Sequence, residues 1–220
     1  MSEIIGDGDA PKRRGRPRAY DPDAALLRAM EAFWKSGYVG TSLDDLSAAT
    51  GMNRPSLYAA FGDKRALYLK ALRQYWRMSA AETREVLTSG RPLREALTDF
   101  YDRALAIYYG GEGRAQGCFS ISTATTAAAD DPEIRDALAM SVRRLDERLE
   151  ALISEARDRG ELNGEADPAA LAILGTATLH TIAIRARAGA PRAELAELAR
   201  KAVSVICGSR PDVAQKLFTA

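Results

Sequence analysis

Apolar side chains recur every three or four residues along almost the whole of this 220-residue sequence. Because an α-helix turns once in 3.6 residues, that interval gathers the apolar residues on one helical face. No stretch shows the two-residue alternation of a convincing β-strand. With 46% apolar residues, the chain can also fill a sizeable core. The sequence therefore predicts an all-α fold.

Capping residues, glycines and prolines divide this pattern into about nine predicted helices. Asp21, Thr41, Asn53 and Asp63 are the expected N-caps of the first four helices, because side-chain oxygens accept the unpaired amides at a helix start. Glycines are expected to end the first three. The five longer helices that follow are predicted over residues 92–109, 118–129, 132–159, 168–188 and 191–207.

Positive charge is concentrated in the first third of the chain. Residues 12–75 contain 12 Lys or Arg against 6 Asp or Glu, so their net charge is +6 and the rest carries −5 of the total of +1. This asymmetry indicates that the front of the chain meets a polyanion. A basic segment that only improves solubility, or that carries an import address, is the alternative.

The densest charge lies in KRRGRPR, residues 12–18, within a stretch that lacks a helical period. We expect residues 1–19 to form a basic arm that is disordered when free. Part of it, RGRP, resembles the AT-hook core, which implies insertion into a narrow A·T minor groove; nonspecific phosphate contact is the alternative. The candidate DNA contacts of the arm are Arg13, Arg14, Arg16 and Arg18.

Three short predicted helices, with a tight link at residues 51–53 between the second and third, have the proportions of a helix-turn-helix. Such a unit lays its third helix in the DNA major groove, with the first residues of that helix at the base edges. Arg54 can hold guanine through two hydrogen bonds, Pro55 can meet a thymine methyl, and Ser56 can bond to several bases. Capping chemistry is the alternative for Pro55 and Ser56. Tyr58 and the start of the fourth helix at Lys64 are expected at phosphates.

Residues 32–72 resemble the DNA-binding region of the TetR/AcrR family of bacterial transcriptional regulators. They read AFWKSGYVGTSLDDLSAATGMNRPSLYAAFGDKRALYLKAL. The resemblance implies a helix-turn-helix DNA-binding domain over residues 20–66, joined to a larger helical ligand-binding and dimerisation domain over residues 67–220.

The same resemblance implies roles for individual residues. Ala59 and Ala60 stand where many relatives carry aromatic, His or other polar side chains, so more of the sequence preference falls on Arg54 and Ser56. The implied phosphate contacts are Thr41, Tyr58 and Lys64, and the implied base contacts are Arg54, Pro55 and Ser56.

A single helix-turn-helix reads half of a two-fold DNA site, so a homodimer is expected. The eighth and ninth predicted helices are the candidate interface, and the resemblance implies a four-helix bundle with the partner's pair. The eighth carries small residues that permit close helix approach, and the ninth carries an apolar stripe; an internal core face is the alternative. The small residues are Ala172, Gly175, Ala177 and Ala183, and the stripe is Leu195, Leu198, Ala202, Val205 and Ile206.

The middle helices are expected, by the same resemblance, to enclose a cavity for a small-molecule effector. Aromatic side chains at helical spacing are usually core packing, which is the alternative for each candidate. The candidate lining residues are Trp76, Phe100, Tyr101, Ile107, Tyr108, Phe119, Thr123, Leu145 and His180.

Cys118 is a further candidate effector contact. It follows a Gly-rich loop at residues 110–117 and falls in the first turn of the predicted sixth helix, where the helix start favours the thiolate. Such a thiol can sense oxidants or electrophiles, and some members of the family it resembles use cysteines in this way. A small buried hydrophobe is the alternative, because free cysteines are often buried.

Several other classes of protein are not expected. The chain has one histidine, His180, and two cysteines far apart in sequence, so a Cys/His metal site is not supported. It lacks a nucleophile elbow and a phosphate-cradling loop, so neither an enzyme nor a cofactor is expected. No signal sequence and no run of apolar residues long enough to span a membrane is apparent, so we expect a cytoplasmic protein without a membrane partner.

Together these features predict a ligand-responsive transcriptional regulator. We expect a repressor that binds a palindromic operator in double-stranded DNA as a homodimer and is released by a small-molecule effector. Three alternatives stay open. They are a thiol-based redox or electrophile sensor acting through Cys118, an architectural DNA-binding protein with A·T preference, and a helical lipid- or small-molecule-binding protein whose basic arm is incidental.

Overall fold

The computed structural model describes residues 21–88, 90–111 and 114–208. Over these ranges the chain forms nine α-helices and no β-strand, which confirms the predicted fold class. The predicted basic arm, with Arg13, Arg14, Arg16 and Arg18, lies outside the described residues. The helices are α1 Pro22–Gly40, α2 Leu43–Thr50, α3 Arg54–Phe61, α4 Lys64–Thr88, α5 Leu93–Tyr108, α6 Phe119–Asp130, α7 Pro132–Asp158, α8 Pro168–Arg187 and α9 Arg192–Ile206.

Local sequence decides where the first helices begin. Asp21 caps α1, and Asn53 caps α3 by accepting the amide hydrogen bond of Ser56 at 2.9 Å. At the start of α4, the carboxylate of Asp63 accepts the amide of Ala66 at 2.7 Å. These three predicted caps are confirmed, because each oxygen takes up an amide that the helix leaves unpaired.

The predicted cap of α2 is wrong by one residue. Ser42 is the N-cap: its hydroxyl accepts the amide of Asp45 at 3.1 Å, and the Asp45 carboxylate accepts the Ser42 amide at 2.8 Å. This reciprocal pair is a capping box. Thr41 instead closes α1, and its hydroxyl donates to the carbonyl of Gly37 at 2.7 Å. Gly37 has a φ of 78°, a positive value that interrupts the helix. The chain turns there, so that the Thr41 side chain points towards the end of α1.

Two apolar clusters fill the interior. The larger joins α5, α7, α8 and α9 with the C-terminal end of α4. The smaller, which we call the head cluster, joins α1–α3 and residues 67–75 of α4 with α6 and the start of α7. The predicted domain boundary at residue 66 falls at the beginning of α4, and this one helix contributes side chains to both clusters. Because packed interiors deform little, a shift of α4 is transmitted to both clusters.

A second connection between the two clusters runs through Arg187 at the end of α8. Its guanidinium donates to the carbonyl of Trp34 at 2.8 Å and to that of Lys35 at 3.2 Å, both in α1. The indole Nε1 of Trp34 donates in turn to the carbonyl of Gln116 at 3.2 Å. These groups join α1, the loop before α6, and α8 in one polar contact, which we call the α1–α8 junction.

Gly117 completes the α1–α8 junction because only a residue without a Cβ fits there. Its φ is 66°, in the left-handed region that disfavours other residues. An added Cβ would lie 2.4 Å from the backbone oxygen of Ala183 in α8. The loop backbone therefore rests directly on the backbone of α8.

Helix α8 has an apolar side that faces outward. Ile173 is 60% exposed, Leu174 40% and Ile184 59%, and Val205 of α9 is 65% exposed. In the described part of the chain, α8 is the one helix long and apolar enough to cross a membrane by length and composition. Its other sides pack against α5, α6, α7 and α9, as those of a core helix do.

Three of the four small residues of α8 do not lie on this outer side, contrary to the prediction. Ala172, Gly175 and Ala183 are buried within the protomer, and Ala177 is exposed. An added Cβ at Gly175 would lie 3.2 Å from Leu149 in α7, so the glycine allows α8 to pack closely against α7 of the same chain. Large apolar side chains cover the outer side instead.

Candidate nucleic-acid interface

The outer face of α3 presents the predicted base-contacting residues. Arg54, Pro55 and Tyr58 are exposed, and Ser56 is partly exposed. Leu57 is only 3% exposed and packs in the head cluster. Because an α-helix repeats every 3.6 residues, anchoring position 57 turns positions 54, 55 and 58 outward together. The structure thus brings these predicted residues onto one surface.

Arg54 is held on this surface by an acid from the neighbouring helix. Its guanidinium donates from Nε at 3.1 Å and from Nη2 at 2.7 Å to one carboxylate oxygen, Oδ1 of Asp44 in α2. The hydrogen bond to Asp44, assisted by its charge, raises the pKa of Arg54 above its ordinary value. No sequence pattern singles out Asp44, because positions 44 and 54 lie on different helices and share no periodicity.

Lys64 begins α4, directly after α3 in the chain. Its Nζ lies 4.8 Å from the ring centroid of Tyr38, and the aromatic face attracts the cation. Partial burial lowers the pKa of Lys64 from its ordinary value. The adjacent carboxylate of Asp63 already accepts the amide of Ala66. Lys64 is therefore a positioned cation next to an acid, and its contact with a phosphate stays a prediction.

Thr41 is the predicted DNA contact within the described ranges that the structure does not place on this surface. The residue is 1% exposed, and its hydroxyl donates to the carbonyl of Gly37, so it does not face a phosphate. Its neighbour Ser42 is exposed, with a hydroxyl that donates to the carboxylate of Asp45 at 2.7 Å.

Most of the predicted effector contacts are packed in the interior. Tyr101, Tyr108, Phe119 and Thr123 are each at most 3% exposed. The hydroxyl of Tyr101 donates to a carbonyl of α8 at 2.9 Å, and the Thr123 hydroxyl lies 2.6 Å from that of Tyr68. These contacts fit the alternative of core packing. Effector binding by these four side chains stays a prediction, and it requires them to move.

A polar cluster surrounds Cys118, which is the N-cap residue of α6 and is partly exposed. Its Sγ accepts a hydrogen bond from the hydroxyl of Tyr75 at 3.4 Å and lies 3.5 Å from Oγ of Ser120. Nε1 of Trp76 donates to the same Ser120 hydroxyl at 3.0 Å. Burial first, and the nearby thiol second, raise the pKa of Tyr75 and Tyr108 well above the ordinary value. The sulfur is therefore flanked by neutral phenols.

An open groove of about 340 Å³ lies between α4 and α7. No sequence pattern indicated it, because its walls come from the exposed sides of two distant helices. It combines apolar floor residues with two arginines and one carboxylate, and so is a second candidate site for an effector. Its lining residues are Arg84, Leu87, Thr88, Arg148, Ala151, Leu152 and Glu155.

His180 is partly buried in α8, and burial lowers its pKa while the nearby charge of Asp146 opposes that shift. Within residues 21–88, 90–111 and 114–208, no three His, Cys, Asp or Glu side chains come together as metal ligands. Neither observation points to a metal.

The exposed face of α3, carried by a three-helix head on a larger helical body, defines a DNA-binding protein of the helix-turn-helix class. A family model described as "Bacterial regulatory proteins, tetR family" matches residues 25–71. Another, described as "Tetracyclin repressor-like, C-terminal domain", matches residues 93–203. The chain belongs to the TetR family, and its class of function is the regulation of transcription through DNA binding.

Individual relatives agree with this assignment. The HTH-type transcriptional repressor ComR of Escherichia coli is 33% identical over 189 residues, which cover 86% of this chain and 90% of ComR. The HTH-type transcriptional activator FasR of Mycolicibacterium smegmatis is 32% identical over 96 residues, 41% of this chain and 44% of FasR.

Among solved structures, a cysteine mutant of the TetR family regulator CifR, complexed with 26 bp double-strand operator DNA, shares the fold with a TM-score of 0.78. It is 31% identical, and the match covers 86% of this chain and 98% of that one.

Proposed function

We propose that this protein is a repressor that binds a palindromic operator as a homodimer and releases it when a small molecule binds. The exposed face of α3 carries the proposal: Arg54, Pro55 and Tyr58 point outward while Leu57 anchors the helix. An arginine at the start of a recognition helix suits guanine O6 and N7. The operator complex of CifR supports the DNA-binding part, and the name of ComR supports repression.

The proposed DNA contacts divide into three groups. Arg54, Pro55 and Ser56 meet base edges in the major groove, and Tyr58 and Lys64 meet phosphates. A basic arm reaches the adjacent minor groove, where narrow A·T tracts attract arginine. The arginines of that arm are Arg13, Arg14, Arg16 and Arg18.

The proposed dimer forms through α8 and α9. The outward side chains Ile173, Leu174, Ile184 and Val205 are between 40% and 65% exposed in the protomer, although large apolar residues favour burial. A second copy that packs this side against its own buries all of them by symmetry. The two α3 helices can then read two half-sites one DNA turn apart, about 34–36 Å.

The proposed effector acts through α4, which contributes to both apolar clusters. A molecule that binds between the helices of the larger apolar cluster shifts α4 and so alters the spacing of the two α3 helices. The candidate contacts are Trp76, Tyr101, Tyr108, Cys118, Phe119, Thr123 and His180, with the α4–α7 groove as the second site. Occupancy of a promoter suffices for repression, so the proposed function needs neither catalysis nor a cofactor. Because the promoter lies in the cytoplasm of a bacterial cell, we propose that location for the protein.

Footprinting on the promoter region of the chain's own gene, with and without metabolite extracts, tests this proposal. We expect a two-fold symmetric protected site that disappears when an extract contains the effector. If the protein protects such a site but increases transcription of a reporter gene, as the name of the activator FasR would suggest, operator binding stands and repression is contradicted. Binding that follows only A·T content and ignores every extract indicates the architectural alternative. No binding at moderate salt contradicts DNA recognition altogether.

A thiol sensor is the second candidate function, and one observation favours it. Cys118 is partly exposed and directly follows Gly117, whose backbone rests on α8 in the α1–α8 junction. An adduct on this sulfur therefore strains the contact between the head and α8. Timed mass spectrometry after low-dose electrophile is expected to find Cys118 labelled before Cys207, with loss of DNA binding that Cys118→Ser prevents. An unlabelled Cys118, when a free thiol control is fully labelled, ends this candidate.

A further inference from the structure

We propose that Asp44 is a specificity-determining residue, which positions Arg54 to read the guanine of one base pair. The inference rests on the proposed function, since it concerns how the same surface selects DNA. It starts from the ion pair between α2 and α3, in which Arg54 and Asp44 stay 54% and 76% exposed. Exposed ion pairs contribute little to stability, so the role of this pair lies elsewhere.

The geometry of the pair leaves one edge of the guanidinium available. Asp44 Oδ1 accepts from Nε and Nη2, which together form the side edge of Arg54. A guanidinium has five donors in a rigid planar fork, so the end edge of Nη1 and Nη2 keeps two parallel N–H groups. In the part of the chain that the structure describes, no other acceptor occupies that edge. Two parallel donors match the O6 and N7 acceptors of guanine.

Asp44 improves discrimination in two physical ways. It holds a long, flexible side chain before DNA arrives, so less conformational entropy is lost when Arg54 contacts guanine. It also places a negative charge beside the guanidinium, which makes a stray phosphate contact by Arg54 less favourable. Specificity is a difference between two affinities, and Asp44 is expected to raise one while lowering the other.

The second carboxylate oxygen extends the same surface. Oδ2 of Asp44 accepts no hydrogen bond within the described ranges, and a carboxylate oxygen accepts from the N4 amino group of cytosine. The pair can therefore contact neighbouring bases, guanine through Arg54 and cytosine through Asp44.

The decisive measurement compares base preference in Asp44→Asn, Asp44→Glu and wild type, using the full chain and a library of randomised half-sites. In Asp44→Asn we expect the preference for guanine at one position of each half-site to fall by at least about fivefold, the lower range of a bidentate contact. Affinity for non-operator DNA should rise, and its salt dependence should steepen by about one released ion because Arg54 becomes free to bind phosphate. Asp44→Glu, which keeps the carboxylate, should retain most of the preference.

Two controls separate positioning from simple charge or folding effects. Asp23→Asn removes the same charge from the first turn of α1, outside the candidate surface, and should leave base preference unchanged. In an Arg54→Ala background, Asp44→Asn should not change the preference for guanine, because Asp44 acts on that base through Arg54. If Asp44→Asn changes the preference for guanine equally in the wild-type and the Arg54→Ala backgrounds, the inference is overturned. This comparison holds even if Asp44→Asn lowers the stability of the protein.

The outcomes also distinguish this inference from the proposed function. Wild type that selects a half-site, together with Asp44→Asn that selects it equally well, overturns the role of Asp44 and leaves operator binding intact. Wild type that shows no base preference anywhere in the library contradicts operator recognition itself.

Discussion

Single residues in the head owe their positions to neighbours from other elements. Asp44 holds Arg54, the ring of Tyr38 lies under Lys64, and Gly37 draws Thr41 inward. Each pairing changes how the side chain can contact a ligand. The guanidinium of Arg54 is fixed, the ammonium of Lys64 is positioned, and the hydroxyl of Thr41 is buried. Residue type alone therefore does not decide whether a side chain on this fold reaches DNA.

Arg54 and Lys64 should separate base reading from phosphate binding. Arg54→Ala removes a bidentate donor and is expected to cost about 1–3 kcal/mol on the preferred operator while relaxing the preference at one base pair per half-site. Lys64→Ala should weaken all sequences about equally and reduce the salt slope by about one. Selection on a randomised operator library measures both. If the two variants lose affinity uniformly, Arg54 does not read a base.

At the scale of elements, an ion-pair network ties the start of α4 to the corner between α6 and α7. Arg65 donates to both oxygens of Asp131, at 2.8 Å for Nη2 to Oδ1, and its Nη1 lies 2.9 Å from Glu133. Asp131 also caps α7. The hydrogen bond from Arg65 is the main cause that lowers the pKa of Asp131 from 3.8 to about 2.

The network predicts a stability contribution that depends on pH. A carboxylate with a depressed folded-state pKa stabilises the fold above its ordinary pKa, and this contribution is lost as the pH falls from about 4 to about 2. Asp131→Asn keeps an amide oxygen for the cap but removes the ion pair. Its melting temperature should be lower by about 2–4 °C at pH 7, and the difference should vanish near pH 2. Calorimetry across that range, with exposed Asp130→Asn as the control, checks it; a constant difference contradicts the assignment.

The α1–α8 junction makes a second element-scale prediction. Gly117 and Gly160 both have positive φ, at 66° and 80°, but an added Cβ clashes with the Ala183 carbonyl only at Gly117 and meets nothing within 4 Å at Gly160. Gly160→Ala should therefore cost about 1–2 kcal/mol of unfolding free energy, from the left-handed backbone alone. Gly117→Ala should cost more, because the loop must leave α8. Chemical denaturation of the two variants measures this, and equal costs contradict the close contact.

At the scale of the whole molecule, the described chain carries one helix-turn-helix unit, α1–α3, on a larger set of packed helices. Its outward apolar side on α8 and α9 is the interface of the proposed dimer, whose second copy would also supply the second α3 helix that a two-fold operator needs. Oligomeric state and DNA affinity should therefore change together.

A charge on the outward side of α8 should separate the two copies. Ile184→Glu places a carboxylate where the proposed interface is apolar, so desolvation without a partner opposes association. We expect a monomer at micromolar concentration in sedimentation and an operator affinity at least about tenfold weaker. Met140→Glu alters a 50% exposed apolar side chain on α7, outside the proposed interface, and should leave the dimer intact. A monomeric wild type contradicts the proposed dimer.

The sequence by itself determined the helical class, most helix ends and the helix-turn-helix. These depend on interactions within a few residues: apolar spacing, the caps at Asp21, Asn53 and Asp63, and the anchoring of α3 by Leu57. Such interactions appear in the sequence as fixed short intervals. Even the cap of α2 was missed by one residue, because Thr41 and Ser42 offer the same hydroxyl and only the path set by Gly37 distinguishes them.

Only the tertiary structure decided which groups meet across elements. It paired Arg54 with Asp44, rested Gly117 on Ala183, and turned Ala172, Gly175 and Ala183 of α8 inward while Ile184 faced out. It also packed Tyr101 and Thr123 into the core, where the sequence left both a cavity lining and core packing open. The physical reason is that these contacts join residues on different helices at intervals unrelated to helical periodicity, so their identity depends on how the helices pack.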